Sequence, residues 1–432
     1  MKEEERMKSE HHYDLLVVGG GTAGSFCAIA AARNGMRVAI VEKNAYLGGM
    51  MTGAGLTEMN AAGFQGKPLY SGIEKEVFDE LIEMNAAEYH FGVPMSSNKE
   101  GKVDRLRYNP EVLKILLEKK ALEAGVTILY EAEIEAAKEM KDGCAVEIRN
   151  GFGTYQITAD YLADATGNAN LISRMGKETI KTPGEKQLTS TLMFRLSNVD
   201  FNQLNAYLEA EKLPELIRRG YEAGVLKGKI LAFTPIPGTK DVSMNVTRAD
   251  GDYEELKEYS AAVVEARQQI PEICTFLKKE VPGLAEAYIS NVAPFLGVRD
   301  GRRIQGEYML TIEDLEKMRA FSDEVAMGCY PMDIHDPITK SVIWKVLPGV
   351  YHIPLRCMIP RGFGRTLAVG KCLCADKKAF GAIRVMPIMI QTGESAGYLF
   401  ALAKKGNLCM NEILKKDIKG YLNEKYERQD EN

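Results

Sequence analysis

The sequence predicts an α/β fold in which a domain with a buried parallel sheet is interrupted by a second, mixed α+β domain. Three observations predict it. A strand, a glycine-rich turn and a helix of small residues follow one another near the start. Between residues 186 and 345 short strands alternate with polar helices, and the last segment returns to the earlier pattern. We therefore expect residues 1–185 and 346–432 to form one domain and residues 186–345 an inserted cap domain, as a chain of 432 residues allows.

Composition disfavours several classes of protein. The net charge is −5, so no basic field covers the chain and we expect no nucleic-acid partner. No apolar run reaches about 18 residues, so no membrane-spanning helix is expected. Residues 1–14 are charged and lack the apolar core of a signal peptide, which suggests a frayed leader and a cytoplasmic location. The eight scattered cysteines suggest reduced thiols, and we interpret the CxC of Cys372 and Cys374 as packed rather than redox-active. No metal-binding spacing occurs.

The chain begins with a βαβ unit. Residues 13–18 are an apolar run typical of a buried parallel strand, and three glycines follow it. Residues 22–34 are rich in alanine and predict a helix that Gly35 ends. Residues 36–41 predict a second strand, which leads into Glu42. This order places the three glycines at the carboxyl edge of a parallel sheet.

The remaining elements follow from periodicity and from turn residues. Apolar residues at helical spacing predict a helix over 73–87, and Asn109 with Pro110 predicts the start of another that stops at Gly125. The other expected elements are strands over 126–134, 144–149, 154–158, 161–163, 188–199, 229–234, 241–247 and 366–370 and helices over 252–269 and 387–404.

Gly19, Gly21 and Gly24 form the G-x-G-x-x-G fingerprint of a dinucleotide-binding turn. The first glycine allows a sharp turn, the second lets the backbone approach a pyrophosphate, and the third lets the helix pack on the strand. Glu42 lies 18 residues after Gly24, close to the spacing of about 20 expected for an acid that binds a ribose. A tight turn without a ligand is the alternative, but the order of strand, helix and acid favours a Rossmann-type nucleotide site. The neighbours expected to contact the nucleotide are Thr22, Ala23 and Lys43.

Three later glycine signals favour a flavin over a nicotinamide nucleotide. Residues 48–55 form a second glycine-rich loop soon after Glu42, where backbone can run beside a ribityl chain and a ring. Residues 164–167 follow a predicted hairpin and end in a glycine, and Gly370 follows a strand. Each signal alone could be a glycine-rich turn, but the four in this order indicate an FAD site.

The chain resembles the FAD-dependent oxidoreductase family that groups with glutathione-reductase-type and fumarate-reductase-type flavoproteins. The first motif occurs in many flavoproteins, whereas the segments VRDGRRIQGEY and RVMP are more particular. The resemblance implies a glutathione-reductase-like fold for the FAD-binding domain. The resembling segments span the chain in family order and are VVGGGTAG, LGGMMTGAG, DATGN, GVRDGRRIQGEYMLTIEDL, YPMDIH, IPLRCMIPRGFGRTLAVGKC and AIRVMPIMIQTGESAG.

The resemblance also implies how FAD is held. Relatives with covalent flavin carry a histidine in the glycine-rich loop, whereas this loop has Met50 and Met51, so we expect non-covalent FAD. The family pattern places Glu42 on the adenosine ribose and the backbone of Glu133 and Ile134 at the adenine. The residues implied at the pyrophosphate, the ribityl chain and the isoalloxazine are Gly19, Gly21, Gly24, Gly48, Gly49, Met50, Thr52, Ala165, Thr166, Gly167, Gly370, Arg384, Val385, Met386 and Pro387.

Histidine and arginine supply the candidates for catalysis. His335 has acids on both sides, and a histidine that titrates near neutrality suits acid–base chemistry beside a flavin. A surface or satisfied histidine is the alternative. Arg299, Arg302 and Arg303 can clamp a carboxylate or stabilise reduced flavin, or they can form ion pairs with nearby acids. Further candidates are His352, Arg356 and Arg384.

The sequence thus predicts an FAD-dependent oxidoreductase that transfers a hydride between FAD and a small, anionic substrate such as a carboxylate. A dehydrogenase and a reductase of an activated C=C bond both fit. The alternatives are a flavin-dependent protein that modifies tRNA and a flavin-binding protein without turnover. No second G-x-G-x-x-G occurs between residues 160 and 345, so electrons come from the substrate, an electron-transfer partner or a transiently bound nicotinamide. The sequence chooses neither the substrate nor the oligomeric state.

Overall fold

The computed structural model describes residues 11–95, 98–210 and 212–430. Most of the predicted leader therefore lies outside the described residues, and its last three residues belong to the first strand. The strands are β1 (His12–Val18), β2 (Val38–Glu42), β3 (Glu58–Phe64), β4 (Lys67–Pro68), β5 (Ala87–Met95), β6 (Asn98–Tyr108), β7 (Thr127–Tyr130), β8 (Glu133–Met140), β9 (Gly143–Asn150), β10 (Gly153–Asp164), β11 (Thr179–Ile180), β12 (Phe194–Ser197), β13 (Ala232–Pro235), β14 (Val242–Asn245), β15 (Tyr288–Val292), β16 (Arg303–Ile304), β17 (Glu324–Gly328), β18 (Met332–His335), β19 (Val342–Lys345), β20 (Tyr351–Pro354) and β21 (Thr366–Ala368). The α-helices are α1 (Thr22–Arg33), α2 (Gly72–Glu83), α3 (Pro110–Glu123), α4 (Asn170–Arg174), α5 (Phe201–Glu209), α6 (Leu213–Glu222), α7 (Leu256–Glu280), α8 (Ile312–Glu316), α9 (Lys377–Ile383), α10 (Met386–Gly406), α11 (Met410–Ile413) and α12 (Ile418–Asp430).

The largest sheet has seven strands in the order β7-β2-β1-β10-β9-β8, and β21 also pairs with β10. Strands β7, β2, β1, β10 and β21 run parallel, whereas β8 and β9 are antiparallel additions. The carboxyl ends of the parallel strands meet at one edge of the sheet. Four residues lie at or just after these strand ends: Gly19, Glu42, Asp164 and Gly370. The α/β fold with a Rossmann-type sheet that the sequence predicts is confirmed.

Strand β10 is longer than the sequence indicates. The hairpin predicted over 144–158 forms as β9 and β10, but the separate strand predicted over 161–163 is the second half of β10. The strand pairs first with β9 and then with β21, so it changes its neighbour along its length. The prediction left residues 159–160 outside any strand, but both belong to β10, and the Asp160 carboxylate forms an ion pair with Lys404 of α10.

Two predicted boundaries are wrong because single residues adopt left-handed backbone conformations. The helix predicted over 73–87 ends at Glu83, since Asn85 has φ 55° and the chain turns there into β5. The strand predicted over 126–134 is divided into β7 and β8, since Glu131 has φ 51°. A non-glycine residue in this region costs free energy, and asparagine tolerates it better than most residues.

Helix α7 also differs from the prediction, which ended it at residue 269. It runs to Glu280 and contains Pro271, which removes one backbone hydrogen bond. Buried side chains on both sides of the proline, Ile270 and Ile273 among them, hold the helix against the neighbouring sheet. In the described part of the chain, no helix is both long and apolar enough to cross a membrane.

The region predicted to be inserted contains its own antiparallel sheet, in the order β13-β14-β12-β15. Its buried side chains form a hydrophobic cluster that runs from Leu192 to Leu296 and includes one face of α7. Side chains from Leu310 to Leu347 instead pack in the main core with α10. The domain limits at residues 186 and 345 stay a prediction.

Small residues bring α1 and α10 into direct contact. A Cβ at Gly393 would lie 2.1 Å from the Ala23 carbonyl oxygen, and a Cβ at Gly397 would lie 2.4 Å from the Cys27 carbonyl oxygen. Neither position can carry a side chain unless one helix moves, so these glycines set the distance between the helix axes. The contact also fixes the N-terminus of α10 relative to that of α1.

Two carboxylates, Glu74 and Glu394, are buried between α2 and α10. Glu394 accepts hydrogen bonds from the Ile73 N–H at 2.9 Å and from the Tyr398 hydroxyl at 2.7 Å. Neither carboxylate oxygen of Glu74 has a partner among the described residues. Burial raises the pKa of Glu394 to about 7, and burial together with Glu394 raises the pKa of Glu74 well above its usual value. In the folded protein, these two carboxyl groups therefore stay protonated at a higher pH than ordinary glutamates do.

Replacing Glu394 with glutamine tests whether the Glu394 carboxyl group holds a proton in the folded protein. The folded chain holds the Glu394 proton up to about pH 7, whereas an unfolded glutamate releases it near 4.5. A rise in pH through this window therefore favours unfolding, by up to about 3 kcal/mol at roughly 1.4 kcal/mol per pKa unit. We expect the free energy of unfolding of Glu394→Gln, measured in urea, to rise relative to wild type between about pH 5 and pH 8.

Glu83→Gln, at the exposed end of α2, is the matched control for this prediction. It removes a carboxylate from the same helix without touching the buried pair, so it should keep the wild-type dependence on pH. If Glu394→Gln and wild type show parallel pH profiles, the pair holds no proton in the folded state.

Candidate functional site

Two glycine-rich loops meet at the carboxyl edge of the main sheet. A backbone bridge joins Gly21 of the loop after β1 to Gly48 of the loop after β2. The Gly48 N–H donates to the Gly20 carbonyl at 2.8 Å. A Cβ at Gly49 would lie 2.8 Å from the Cα of Gly21, so this approach needs a glycine. The structure thus brings together two loops that the sequence shows only separately.

The first and third glycines of the fingerprint are required by contacts within the fold. Gly19 has φ 104°, and a Cβ on it would lie 2.5 Å from the Ala165 carbonyl oxygen. A Cβ on Gly24 would lie 1.9 Å from the Gly19 carbonyl oxygen. These contacts hold α1 close to β1 and place Ala165, one of the predicted site residues, against the turn.

Gly21 faces open space, because a Cβ there would meet nothing closer than 4.0 Å. This space lies at the N-terminus of α1, which begins at Thr22 and has no side-chain cap. The backbone N–H groups of the first turn, Ala23 included, and the positive end of the helix dipole favour an anion there. The Thr22 hydroxyl donates to the Gly48 carbonyl at 3.3 Å and ties the two loops together. This cradle fits the pyrophosphate of a dinucleotide.

Glu42 lies beside the cradle at the end of β2. One carboxylate oxygen accepts from the Gly20 N–H at 2.8 Å. The other accepts from the backbone N–H and the side-chain amide of Asn44, at 2.8 and 2.6 Å. A carboxylate has about four lone pairs, so acceptor capacity remains for ribose hydroxyls. These hydrogen bonds fix the Glu42 side chain beside the cradle, and its ribose-binding role stays a prediction.

The other residues predicted at the adenosine end are placed less directly. Lys43 is exposed next to Glu42. The side chain of Ile134 is buried in the core, so only its backbone is left for a nucleotide. The backbone next to Glu42 belongs to Ala132, whose N–H donates to the Glu42 carbonyl at 3.1 Å.

Asp164 holds the loop that follows β10. Its buried carboxylate accepts from the Thr166 hydroxyl at 2.7 Å and from the Ile172 N–H at 3.0 Å. Burial raises the pKa of Asp164, although these hydrogen bonds oppose the shift. Gly167 has φ 77°, and a Cβ on it would lie 3.3 Å from Cε of Lys371. The loop therefore places Thr166 and Gly167 at the same sheet edge as the glycine cradle.

Lys371 follows Gly370 at this edge, and the sequence reasoning missed it. Its Nζ donates to the Val298 carbonyl at 3.1 Å. Burial lowers the pKa of Lys371 to about 8, although the nearby Asp300 opposes this shift. A cation at the carboxyl edge can stabilise negative charge on a bound cofactor. The signal that could have found it is its place directly after a glycine that ends a strand.

The segments predicted to close on the flavin lie around the same edge. Gly370 has φ 87°, and a Cβ on it would lie 2.9 Å from the Ala23 Cβ and 4.0 Å from the Met389 sulfur. Helix α10 therefore begins beside Gly370, with Met386 and Pro387 in its first turn and no side-chain cap. A second helix N-terminus is thus available to a negatively charged group.

Met50 and Thr52 belong to the second glycine-rich loop. The Thr52 hydroxyl donates to the Leu47 carbonyl at 2.6 Å and so stabilises the loop from within. The Met50 Cε would lie 3.5 Å from a Cβ built on Gly297. This contact brings the loop next to the segment that carries the predicted arginines.

A group of buried and half-buried polar side chains, here named the polar cluster, consists of Arg299, Tyr330, Asp333, His335 and Arg384. Arg384 lies 3.6 Å from the Asp333 carboxylate and donates to the Asp333 carbonyl at 3.2 Å. The Tyr330 hydroxyl donates to the same carboxylate at 3.0 Å, and His335 Nε2 lies 3.3 Å from its other oxygen. Because Arg384 lies two residues before Met386, the first residue of α10, the cluster lies beside the N-terminus of that helix.

Burial sets the protonation of the polar cluster. Burial, with the repulsion of Arg299, lowers the pKa of His335 to about 3. Burial opposes the ionisation of Asp333, yet its positive neighbours, Arg384 among them, hold its pKa below the usual value. His335 is therefore neutral near pH 7, and the expectation that it titrates near neutrality is wrong for the ligand-free cluster. Two guanidinium charges then face one carboxylate.

Arg302 and Arg303 do not join Arg299 in the polar cluster. The Arg302 guanidinium bonds to acceptors in residues 168–173, at distances from 2.6 to 3.2 Å. Arg303 is buried and lies 3.6 Å from the Asp300 carboxylate. Residues 299–302 have no regular secondary structure, and the three guanidinium groups take different local partners, so adjacency in the sequence does not bring them to one site. Arg302 and Arg303 therefore fit the alternative interpretation, in which these arginines form local polar and ionic contacts.

The candidates His352 and Arg356 have acidic partners of their own. His352 lies 2.8 Å from Glu324, across the pair of strands β17 and β20. Arg356 donates twice to the Asp323 carboxylate, at 2.9 and 3.1 Å. These ion pairs account for both side chains without a role in catalysis.

The CxC motif is packed inside the fold. Cys372 and Cys374 are both buried, and burial raises the pKa of both thiols. Because the pKa of each thiol is raised, little reactive thiolate forms near neutral pH. This favours the interpretation that the two cysteines are packed rather than redox-active. Among the described residues, no group of three or more histidine, cysteine, aspartate or glutamate side chains is arranged to hold a metal ion.

Arg248 is a further polar residue near the cluster that the sequence did not reveal. It is 5% exposed, and its Nη1 donates to the Thr191 hydroxyl at 2.8 Å. The same hydroxyl accepts from Arg299 at 2.9 Å. Burial, with the repulsion of Arg299, lowers the pKa of Arg248 to about 9. No motif surrounds it, and it lies 51 residues before Arg299, so only the fold reveals the pair.

Known proteins resemble the chain in sequence and in fold. Digeranylgeranylglycerophospholipid reductase 1 of Methanococcoides burtonii is 27% identical over 201 residues, which cover 45% of this chain and 47% of the reductase. The matched region thus spans about half of that relative's length. Aklavinone-11 hydroxylase, solved with FAD and aklavinone, has a TM-score of 0.50 at 14% identity and covers 91% of this chain and 63% of its own. The p-nitrophenol 4-monooxygenase PnpA of Pseudomonas putida has a TM-score of 0.50 at 11% identity over 96% and 87%.

The family comparison covers nearly the whole chain. The family described as FAD dependent oxidoreductase matches residues 14–422, which include every element of the cradle and of the polar cluster. The open space at Gly21, the uncapped N-terminus of α1 and the carboxylate of Glu42 are chemically suited to a dinucleotide. The chain therefore belongs to the FAD-dependent oxidoreductase family.

Proposed function

We propose that this protein transfers a hydride between a small anionic substrate, such as a carboxylate, and non-covalently bound FAD. The observation that carries the proposal is the polar cluster, where Arg299 and Arg384 face the single carboxylate of Asp333. A partly desolvated site with excess positive charge favours an anionic ligand. When bound, FAD supplies the ring nitrogen that accepts or donates the hydride.

The residues of the sheet edge would hold this cofactor along its length. Gly21 and the N-terminus of α1 would take the pyrophosphate, and Glu42 would take the ribose. The loop that contains Met50 would run beside the ribityl chain and the ring. Lys371 and the N-terminus of α10 would place positive charge at the flavin end, where reduction adds negative charge.

The polar cluster would orient the substrate. Arg299 and Arg384 can bind a carboxylate, and Asp333 fixes Arg384 from the opposite side. A bound anion offsets the repulsion from Arg299, so it should raise the pKa of His335. The imidazole would then take up a proton with substrate in place and could act as an acid at Nδ1 or Nε2.

The relatives support the redox part of this proposal. The relative from Methanococcoides burtonii is named a reductase, which is consistent with electron transfer to or from a substrate. The direction of the reaction is left open. An electron-transfer partner and a cytoplasmic location remain part of the proposal, on the sequence observations alone.

An anaerobic substrate screen tests the proposed function. Saturated carboxylates should bleach the flavin absorbance of the oxidised protein, or α,β-unsaturated carboxylates should restore it in the reduced protein. The uncharged amides of the same acids are the matched ligands and should react at least about tenfold more slowly, because they lack the charge that the arginines bind. Equal rates for acids and amides would contradict an anionic substrate.

Glu42→Ala tests whether Glu42 binds the ribose of FAD. Loss of hydrogen bonds to a charged group costs about 1.5 to 3 kcal/mol, so the Kd for FAD should rise at least about tenfold. Flavin fluorescence measured during titration of the apoprotein gives the Kd, and circular dichroism confirms that the variant folds. The exposed Glu123→Gln on α3 is the control. An unchanged Kd in Glu42→Ala would remove Glu42 from the cofactor site.

His335→Ala tests the role of the imidazole. Loss of an acid–base group should slow flavin reduction by the identified substrate about 100-fold, with the Kd for FAD unchanged. Anaerobic stopped-flow absorbance measures the rate. His352→Ala removes a histidine that is paired on another strand, so it should react like wild type. A wild-type rate in His335→Ala would make this histidine structural.

A further inference from the structure

A crevice that opens to solvent lies beside His335, within the region predicted to be inserted. It is here named the anion crevice, and its lining includes Lys227, Gly228, Arg248, His335, Lys340 and Ser341. It lies between β18, which carries His335, and the segment that follows β14, which carries Arg248. Its wall therefore joins the polar cluster to the surface.

Arg248 is the buried charge in the wall of the anion crevice. Its Nη1 donates to the Thr247 carbonyl at 2.6 Å and to the Asn245 side-chain oxygen at 3.2 Å. In the described structure all its hydrogen-bond acceptors are neutral, and its Nη2 is buried with no partner. No carboxylate among the described residues bonds to this guanidinium, and attraction to Asp333 and Asp250 opposes the lowering of its pKa without preventing it. The fold therefore maintains a desolvated charge that a bound anion would stabilise.

Arg248 and Arg299 approach each other through one neutral oxygen. Both guanidinium groups donate to the hydroxyl of Thr191, at 2.8 and 2.9 Å. Their mutual repulsion lowers the pKa of Arg248, as burial also does. Two like charges held at this distance need a negative group nearby. His335 lines the same crevice as Arg248, and its Nδ1 is also buried without a partner among the described residues.

The position of Arg248 in the crevice wall is fixed by contacts on its backbone and on its aliphatic part, while its Nη2 stays buried without a partner. Its backbone N–H donates to the Gln269 side chain at 3.0 Å, and its carbonyl accepts from the same side chain at 2.7 Å. A Cβ at Gly228 would lie 2.9 Å from Cγ of Arg248, so only glycine leaves room for the aliphatic part. The guanidinium is thus held in place before any ligand binds.

The rim of the crevice adds positive charge. Lys227 donates to the Gly224 carbonyl at 3.1 Å and so keeps a neutral partner. Lys340 pairs with Asp250. Asp336, the acid in the lining, accepts from the Thr339 hydroxyl at 2.7 Å within its own turn. With Arg248 unpaired, the crevice carries an excess of positive charge.

We propose that the anion crevice binds an oxyanion, a carboxylate or a phosphate, that forms the charged end of the substrate. The inference rests on the proposed function and assigns Arg248 to the binding of this group. Arg248 Nη2 and Lys227 would contact the oxyanion, and Arg299 would contact it from the inner side. The reacting part of the substrate would then extend past His335 towards α10. A substrate whose anionic end lies in the crevice and whose reacting end lies at the polar cluster, beside Arg384, fits this arrangement.

Calorimetric titration of the FAD-loaded protein with succinate and with inorganic phosphate tests the site. At least one of these two probes should bind saturably at one site per chain. Arg248→Met should weaken that binding at least tenfold, and Arg248→Lys, which keeps the charge but not the fork, should weaken it less. Binding of succinate alone assigns a carboxylate, and binding of phosphate alone assigns a phosphate.

Arg218→Met is the matched control, because Arg218 is an exposed arginine of the same region that pairs with Glu215 and Glu222. It should bind the probes like wild type. Circular dichroism checks that each variant folds, and Arg248→Lys keeps the test available if Arg248→Met does not fold. Absence of saturable binding of both probes, or wild-type affinity in the folded Arg248 variants, would overturn the proposal.

The same samples separate this inference from the proposed function. Arg248 lies outside the glycine cradle, so the Kd for FAD of Arg248→Met should equal that of wild type. Wild-type probe binding combined with no reduction of the flavin by any substrate would leave the anion crevice standing and remove the redox reaction. If the protein does not bind FAD, succinate and phosphate can still be titrated into the apoprotein.

Discussion

The fold depends on the close approach of backbone to backbone where α1 leaves β1. The space for a Cβ on Gly24 is taken by the Gly19 carbonyl, and the space for one on Gly19 is taken by the Ala165 carbonyl. This contact orients α1 so that its uncapped N-terminus faces the open space at Gly21. Gly393 and Gly397 then let α10 pack directly on α1 and carry Arg384 to the same edge of the sheet. The ends of four strands and the N-termini of two helices can converge because glycines at the contact points let backbone approach backbone.

Desolvation of charged groups connects the rest of the structure. Asp164 and Glu42 are buried acids whose oxygens accept several hydrogen bonds, and they stabilise loops of the cradle. Arg248 and Arg299 are different, because the hydroxyl of Thr191 stands between them where an acid would be expected. Burial without compensation is costly, and such groups are concentrated at functional sites. These charges, which Asp333 offsets only in part, lie beside the polar cluster, where we propose that the substrate binds.

The sequence was sufficient for features that depend on neighbouring residues. Gly19, Gly21, Gly24 and Glu42 follow a local spacing, so the cradle and the α/β class could be predicted. The roles of the arginines could not, because Arg302 bonds to residues 168–173 and Arg303 lies beside Asp300, contacts that only the folded chain shows. Arg248 carries no local signal of function, and the only signal at Lys371 is its place directly after Gly370, so the packing of distant segments is what brings both residues to the site. The neutral state of His335 could not be predicted either, since it arises from burial and from Arg299 rather than from its sequence neighbours.

The most direct test is a visible absorption spectrum of the purified protein, repeated on the supernatant after acid precipitation. FAD held by the glycine cradle without a covalent bond should give a flavin spectrum that moves completely into the supernatant. A flavin spectrum that stays with the precipitate would contradict non-covalent binding. A protein that shows no flavin spectrum, even after FAD is added, would contradict the assignment of the cradle to FAD, and the proposed redox function would fail with it.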